Sequence, residues 1–211
     1  METTRRPLRL LILGATGRIG GQLLQQATQR GHSVTAFVRS PGKLGRFGSS
    51  VNAVGGDPLD ASAVRAMLTG HDAVLSALGP AGLGRSTVQQ DGARAVVEAM
   101  QRGPVRRLLL VSAAMLFKDA GLLAAIVRTT ILRNVAADCV QAEAAVTASD
   151  LDWTIVRPPR LTNGPITRRY AVARGHMPKG ATGLLSRADV AHFLLDEAER
   201  AEHVHQVVGI G

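Results

Sequence analysis

Three glycines stand three residues apart in "GATGRIG", Gly14, Gly17 and Gly20, where an apolar run gives way to an amphipathic one. Glycine at a strand-to-helix junction permits a tight turn, lets the backbone approach a ligand, and lets the helix lie close on the strand. Gly14, Gly17 and Gly20 meet those needs in that order. The unpaired N–H groups of the helix start, at the positive end of its dipole, then make a seat for a diphosphate. The spacing is G-x-x-G-x-x-G and matches the G-x-G-x-x-G of dinucleotide turns only approximately. Thr16, Arg18 and Ile19 belong to the same expected cradle.

The next apolar run ends in "FVRSPGKL" and bears on which dinucleotide is held. An acid at this place binds the ribose hydroxyls of NAD, whereas an arginine can meet the 2′-phosphate of NADP. Arg39 occupies it, Ser40 adds a hydroxyl, and Arg18 can approach the same phosphate. The expected cofactor is NADP(H).

These residues need strands that end where helices begin. Short apolar runs alternate with amphipathic segments, the pattern of βαβ units and a parallel sheet. Strands are expected at Leu8 to Gly14, Ser33 to Arg39, Val51 to Gly55, Asp72 to Ala77, Val105 to Ser112 and "LDWTIVRPP", the last stopped by Pro158 and Pro159. Helices are expected after Gly17 with a stop at Gly31, from an Asp60 cap to Gly70, over Arg85 to Gln101, and over Asp119 to Ser149 as one bent or two consecutive helices. Another opens at "SRADVAHFLLDEAER", where Ser186 and Asp189 form a capping-box variant, and "HQVVGIG" makes a final strand.

Composition narrows the function classes. The net charge is +9, but the basic residues are scattered, no run exceeds a pair, and aromatics are 3%, so no nucleic-acid footprint is expected. Cys139 is the single cysteine, which leaves no internal disulfide and no Cys-rich metal site. His203 and His205 lack partners at ligand spacing, so no metal is expected. The apolar stretch near the N-terminus runs straight into the glycine turn without a cleavage pattern, and no apolar run approaches the ~18 residues of a membrane span. A cytoplasmic protein, monomer or homodimer, with a small-molecule substrate is expected.

"GATGRIG", "VTAFVRSPGKL", "VGGDPLD", "HDAVLSALGP", "GARAVVEAM", "RRLLLVSAAML", "LDWTIVRPPRL" and "LSRADVAHFLL" together resemble the atypical short-chain dehydrogenases of the NmrA-like and biliverdin-reductase-B-like NAD(P)-binding group. The resemblance spans nearly the whole chain. It implies a three-layer Rossmann-type α/β fold with a doubly wound parallel sheet, in one domain over residues 1–211, with an irregular substrate-side segment at about 158–185. It further implies that Asp57 and Leu59 line the adenine site, that Ala77, Leu78 and Gly79 pass under the cofactor, and that Ser112 ends the fifth strand beside the nicotinamide. Pro158 and Pro159 would shape the nicotinamide side.

Standard short-chain dehydrogenases carry Tyr-x-x-x-Lys about a dozen residues after the catalytic serine, the lysine lowering the tyrosine pKa for proton donation. Here Ala124 lies twelve residues past Ser112, and the one tyrosine, Tyr170, has no lysine four residues on. The expectation is therefore an NADPH-dependent oxidoreductase passing hydride to a conjugated acceptor such as a flavin, quinone or tetrapyrrole-like system, with solvent supplying the proton. Ser112 would hydrogen-bond the acceptor or the carboxamide, and Arg160 and Tyr170 are candidates to meet the substrate. A dinucleotide-binding redox sensor of the NmrA-like kind, and an epimerase or isomerase on the same scaffold, are the alternatives.

Overall fold

The computed structural model describes residues 6–80, 82, 84–117 and 132–211. Ten strands are present among them: β1 (Arg9–Leu13), β2 (Ser33–Val38), β3 (Asn52–Gly55), β4 (Ala73–Ser76), β5 (Arg107–Val111), β6 (Asp152–Arg157), β7 (Arg160–Thr162), β8 (Val172–Arg174), β9 (Leu184–Ser186) and β10 (Gln206–Ile210). The described α-helices are α1 (Arg18–Gln29), α2 (Ala61–Ala66), α3 (Val88–Gln101), α4 (Arg133–Thr147) and α5 (Arg187–Arg200), with 3₁₀ turns at Pro41–Ser50 and Ala114–Leu116.

Eight strands form one sheet in the order β3-β2-β1-β4-β5-β6-β10-β8, parallel except for β8, which runs antiparallel to β10 at the edge. The strand order reverses at β1 and β4, so their carboxyl ends open a crevice. Strands covered on both sides read as continuous apolar runs, and β1 does so. Its Leu10 and Ile12 join the cluster under α1 and α5, while Leu11 and Leu13 join the cluster under α2, α3 and α4. The result is the three-layer Rossmann-type α/β arrangement.

The expected elements form, with ends shifted by a few residues. Asp60 caps α2 by accepting from the N–H groups of Ser62 and Ala63, but the helix closes at Ala66 and reaches Gly70 through turns. The long helical stretch expected over Asp119 to Ser149 is described only as α4; its part over residues 118–131 lies outside the described residues. Segment 158–185 holds three short strands: β7 pairs in parallel with β9 to make a two-stranded strap, and β8 extends the main sheet.

Asp189 holds that segment in place. Ser186 Oγ accepts from the Asp189 N–H at 2.9 Å, which is the expected cap of α5. The Asp189 carboxylate, however, does not reach back as in a full capping box. It accepts from Ser186 Oγ (2.8 Å), Thr167 N (2.7 Å), Thr167 Oγ1 (2.9 Å) and Arg168 N (2.8 Å). Burial alone would raise its pKa, but hydrogen bonds from Arg168, Ser186 and Thr167 hold it below the usual value. A carboxyl with a depressed folded-state pKa contributes stability above its unfolded value of 3.8 and loses it as pH falls through the lower folded value. Asp189→Asn, which replaces one acceptor oxygen by a donor, is expected to cost about 2 kcal/mol at pH 7. Urea melts check this, and the difference from wild type should shrink as the pH drops below about 4.

Candidate functional site

The glycine turn connects β1 to α1. Gly14 has φ +76°, a left-handed conformation that disfavours side chains, and a Cβ there would lie 2.5 Å from the Ala77 carbonyl oxygen at the end of β4. Gly20 is more constrained still, because a Cβ would collide with the backbone of Gly14 and Ala15. Gly17, whose N–H donates to Gly14 O at 2.9 Å, is the N-cap and meets only that carbonyl, at 3.1 Å. No side chain caps α1 and its first turn has no acid, so its leading N–H groups face outward without a competing anion.

A cleft of about 280 Å³ opens beside this turn, lined by Gly14, Thr16, Phe37, Val38, Arg39, Ser40, Lys43, Pro58 and Leu78. The structure thus brings Arg39 and Ser40, at the end of β2, to the glycine turn. It adds Lys43, which sequence reasoning passed over; the only signal was its place four residues after Arg39 in a chain with three lysines. The 3₁₀ turn at Pro41–Ser50 carries it, with Lys43 N donating to Ser40 O at 3.2 Å. Pro58 reaches the cleft because Gly56 lets the chain pass over the Phe37 ring, which a Cβ there would strike. Of its neighbours, exposed Asp57 accepts from Leu59 N at 3.1 Å, and Leu59 leans on Gly92 of α3. Arg18 is not among the lining residues, and Ile19 is half-buried against the core.

The ends of β4, β5 and β6 lie further along the same edge. Ala77 continues the β1 ladder by donating to Leu13 O at 3.0 Å, and at Gly79 a Cβ would meet nothing within 4 Å. Ser112 N donates to Val156 O at 2.8 Å and Ala114 N to Pro158 O at 2.9 Å, which ties the β5 end to Pro158 and Pro159. The Ser112 hydroxyl is buried beside the Cys139 thiol, a weak hydrogen-bonding group, and finds no nitrogen or oxygen partner among the described residues. Such a group costs free energy unless something else satisfies it.

Two buried carboxylates brace this edge. Asp138 on α4 accepts from the first-turn amides of α3, Gln89 N (3.2 Å) and Gln90 N (2.8 Å), and so fixes where the loop after β4 ends. Glu143 takes Arg157 at the end of β6 in a two-point pair, 2.9 and 2.5 Å, while the Arg157 guanidinium lies 4.6 Å from the centre of the Phe117 ring. Cys139 donates to Gln89 Oε1 at 2.9 Å, and burial pushes its thiol up to about 11, which leaves it protonated and no nucleophile.

Arg160 lies exposed on β7 in the strap. Tyr170 is placed elsewhere: its hydroxyl bonds His192 Nδ1 at 2.7 Å and its ring packs edge-on against Phe193, so it is committed to the layer of α1 and α5. Burial drives its pKa well above the phenol range. A larger groove, about 710 Å³, runs along α4 past Val140 and Val207 and shares no residue with the glycine-turn cleft. Among the described residues no group of three or more His, Cys, Asp or Glu could hold a metal ion, and no helix is long and apolar enough to cross a membrane.

A glycine turn at the carboxyl end of the first strand of such a sheet, with a cleft at the topological switch point, defines a Rossmann-type dinucleotide-binding protein. Residues 14–201 match the NAD(P)H-binding family, and the chain belongs to that family. A nicotinamide dinucleotide is therefore its cofactor. The protein YwnB of Bacillus subtilis (strain 168) is 28% identical over 217 residues, covering 94% of this chain and 96% of YwnB. The solved Rossmann-fold NAD(P)-binding family protein from Shigella flexneri is 26% identical with a TM-score of 0.76, over 98% of this chain and 94% of that one. ChuY, an anaerobillin reductase from Escherichia coli O157:H7, shares the fold at 23% identity with a TM-score of 0.77, over 96% of each chain.

Because the turn is packed on backbone, Gly20→Ala is expected to destabilise the protein by about 2 kcal/mol or more. Gly79→Ala, with open space at its Cβ, is expected to leave Tm within about 1 °C. Thermal melts of the two variants distinguish packing constraint from general sensitivity of this edge.

Proposed function

We propose that the chain is an NADPH-dependent reductase that passes hydride to a conjugated, planar acceptor. The observation that carries the reading is the lining of one cleft by the glycine turn together with Arg39, Ser40 and Lys43. Two cations and a hydroxyl at the end of β2, with no acid among the lining residues, suit a 2′-phosphate and disfavour the bare diol of NAD. When bound, the nicotinamide supplies the hydride. The glycine turn and the amides of α1 hold the diphosphate, and Asp57, Leu59 and Pro58 border the adenosine end. Ala77, Leu78 and Gly79 underlie the cofactor, and Pro158 and Pro159 border its nicotinamide half.

The buried hydroxyl of Ser112, whose neighbour is the weakly bonding Cys139 thiol, would hydrogen-bond the acceptor or the carboxamide. No Tyr-x-x-x-Lys accompanies it, and Tyr170 is engaged with His192. In a flavin, quinone or tetrapyrrole-like acceptor the incoming charge spreads over the conjugated system, so orientation over the nicotinamide is the protein's main contribution and solvent completes protonation. The anaerobillin reductase of the same fold supports an acceptor of this kind. Arg160, exposed on the strap, is available to an acidic substituent of the acceptor.

Arg39→Ala is expected to weaken NADPH binding by about tenfold or more and to leave NADH binding within about twofold. Lys43→Ala should act in the same direction with a smaller loss. Equal losses for both nucleotides would remove the 2′-phosphate assignment. Loss of NADPH absorbance with free flavin and small quinones tests the activity. Steady oxidation is expected, with Ser112→Ala lowering kcat by about tenfold; tight NADPH binding without turnover would instead favour a redox sensor.

A further inference from the structure

Gln89 on α3 and Cys139 on α4 meet at the end of β5, and their polar groups allow one arrangement of hydrogens. The anchor is the Val111 carbonyl, which can only accept. Gln89 Nε2 donates to it at 3.4 Å, so the amide oxygen of Gln89 is the end that faces Cys139. An amide oxygen also only accepts, and the thiol therefore points its hydrogen at Gln89 Oε1, 2.9 Å away. Burial keeps that thiol protonated. The backbone of Gln89 is held from the same helix, because its N–H donates to Asp138, the residue before Cys139.

Ser112 follows Val111, and its hydroxyl lies buried beside the same thiol. A hydroxyl has one hydrogen to give and two lone pairs to fill. Because the Cys139 hydrogen is committed to Gln89, the sulfur offers Ser112 its lone pairs and nothing else. The Ser112 hydrogen can settle on that sulfur, a weak acceptor. Its oxygen then has no donor among the described residues, and a buried acceptor without a donor is costly. Turned the other way, with the hydrogen toward a ligand, the hydroxyl would leave both its own oxygen and the sulfur unfilled. The ligand group that satisfies most atoms here is a donor.

We propose that Gln89, Cys139 and Ser112 form a one-way hydrogen-bond chain that presents the Ser112 oxygen as an acceptor, matched to the carboxamide N–H of the nicotinamide. The chain rests on the NADPH-binding reading and chooses between the two roles that reading leaves to Ser112. Gln89 and Cys139 are positioning residues that act through Ser112, each setting the direction of the next hydrogen. Donation runs from the ligand through Ser112, Cys139 and Gln89 to the Val111 carbonyl, and hydrogen bonds in such a series polarise one another. The ring that carries the hydride is thereby oriented from β5, and protonation of the acceptor is left to solvent.

Calorimetric titration of the full chain with NADP⁺ and with its 3-acetylpyridine analogue, in which a methyl group replaces the carboxamide NH₂, tests the chain. Wild type is expected to prefer NADP⁺ by about tenfold. Ser112→Ala should bring that ratio within about twofold. Gln89→Leu, which frees the thiol hydrogen to turn toward Ser112, and Cys139→Ala, which removes the sulfur, should each lower it to about threefold. Cys139→Ser keeps a donor for Gln89 and an acceptor for Ser112, and is expected to retain the wild-type preference. A general loosening of the site weakens both ligands alike and leaves the ratio within each variant unmoved. A preference that persists in Ser112→Ala or is undiminished in Gln89→Leu overturns the chain. If the wild-type chain binds neither ligand, the underlying NADPH reading fails as well; if it binds both equally, only the chain fails.

Discussion

No side-chain atom fits between the start of α1 and the turn that leads into it. At Gly20 a Cβ would run into the backbone of Gly14 and Ala15, and at Gly14 it would press on the carbonyl of Ala77 from the neighbouring strand. The close approach sets the direction of α1, and with it the outward aim of the amides that no side chain caps. It also brings β4 against the turn, so that Leu78 and Gly14 line the same cleft as Arg39 and Lys43. A larger residue at Gly20 would move the helix, and every feature that depends on the helix would move with it.

Around that fixed point the irregular segments are held by buried carboxylates. Asp138 gathers two amides at the start of α3, Asp189 gathers four donors at the start of α5, and Glu143 pairs with Arg157 where β6 leaves the sheet. A buried charge is expensive unless it is fully hydrogen-bonded or paired, and these three are. Their common effect is to specify where the loops bordering the cofactor edge begin and end. The buried hydroxyl of Ser112, at the end of β5, is one of a few buried polar atoms among the described residues that this bracing leaves without a nitrogen or oxygen partner.

The fold was legible where periodicity and capping chemistry agree. The apolar runs marked every parallel strand of the main sheet, and Asp60 and Ser186 marked the starts of α2 and α5. The glycine spacing and Arg39 pointed to the cleft. Lys43 was not legible because a single lysine in a loop carries no pattern; only the 3₁₀ turn brings it back beside Arg39. Tyr170 is a substrate candidate in the sequence, yet its partner, His192, lies twenty-two residues away on α5 and is joined to it only by tertiary packing. Local spacing marks Asp189 as half of a capping box, and its use by Thr167 and Arg168 depends on how segment 158–185 folds back, which no local spacing encodes.

As the proposed reductase, the protein holds and orients NADPH against a conjugated acceptor and contributes no titrating acid to the hydride step. Rapid anaerobic mixing of the NADPH-loaded protein with free flavin, followed at pH values from 6 to 9 with ordinary and 4-deuterated NADPH, measures that step directly. The account predicts a single turnover that is slowed by the deuterium and has a rate without a pKa-like break across that range. A bell-shaped or single-break profile with the same isotope effect, or the absence of any turnover, would contradict it.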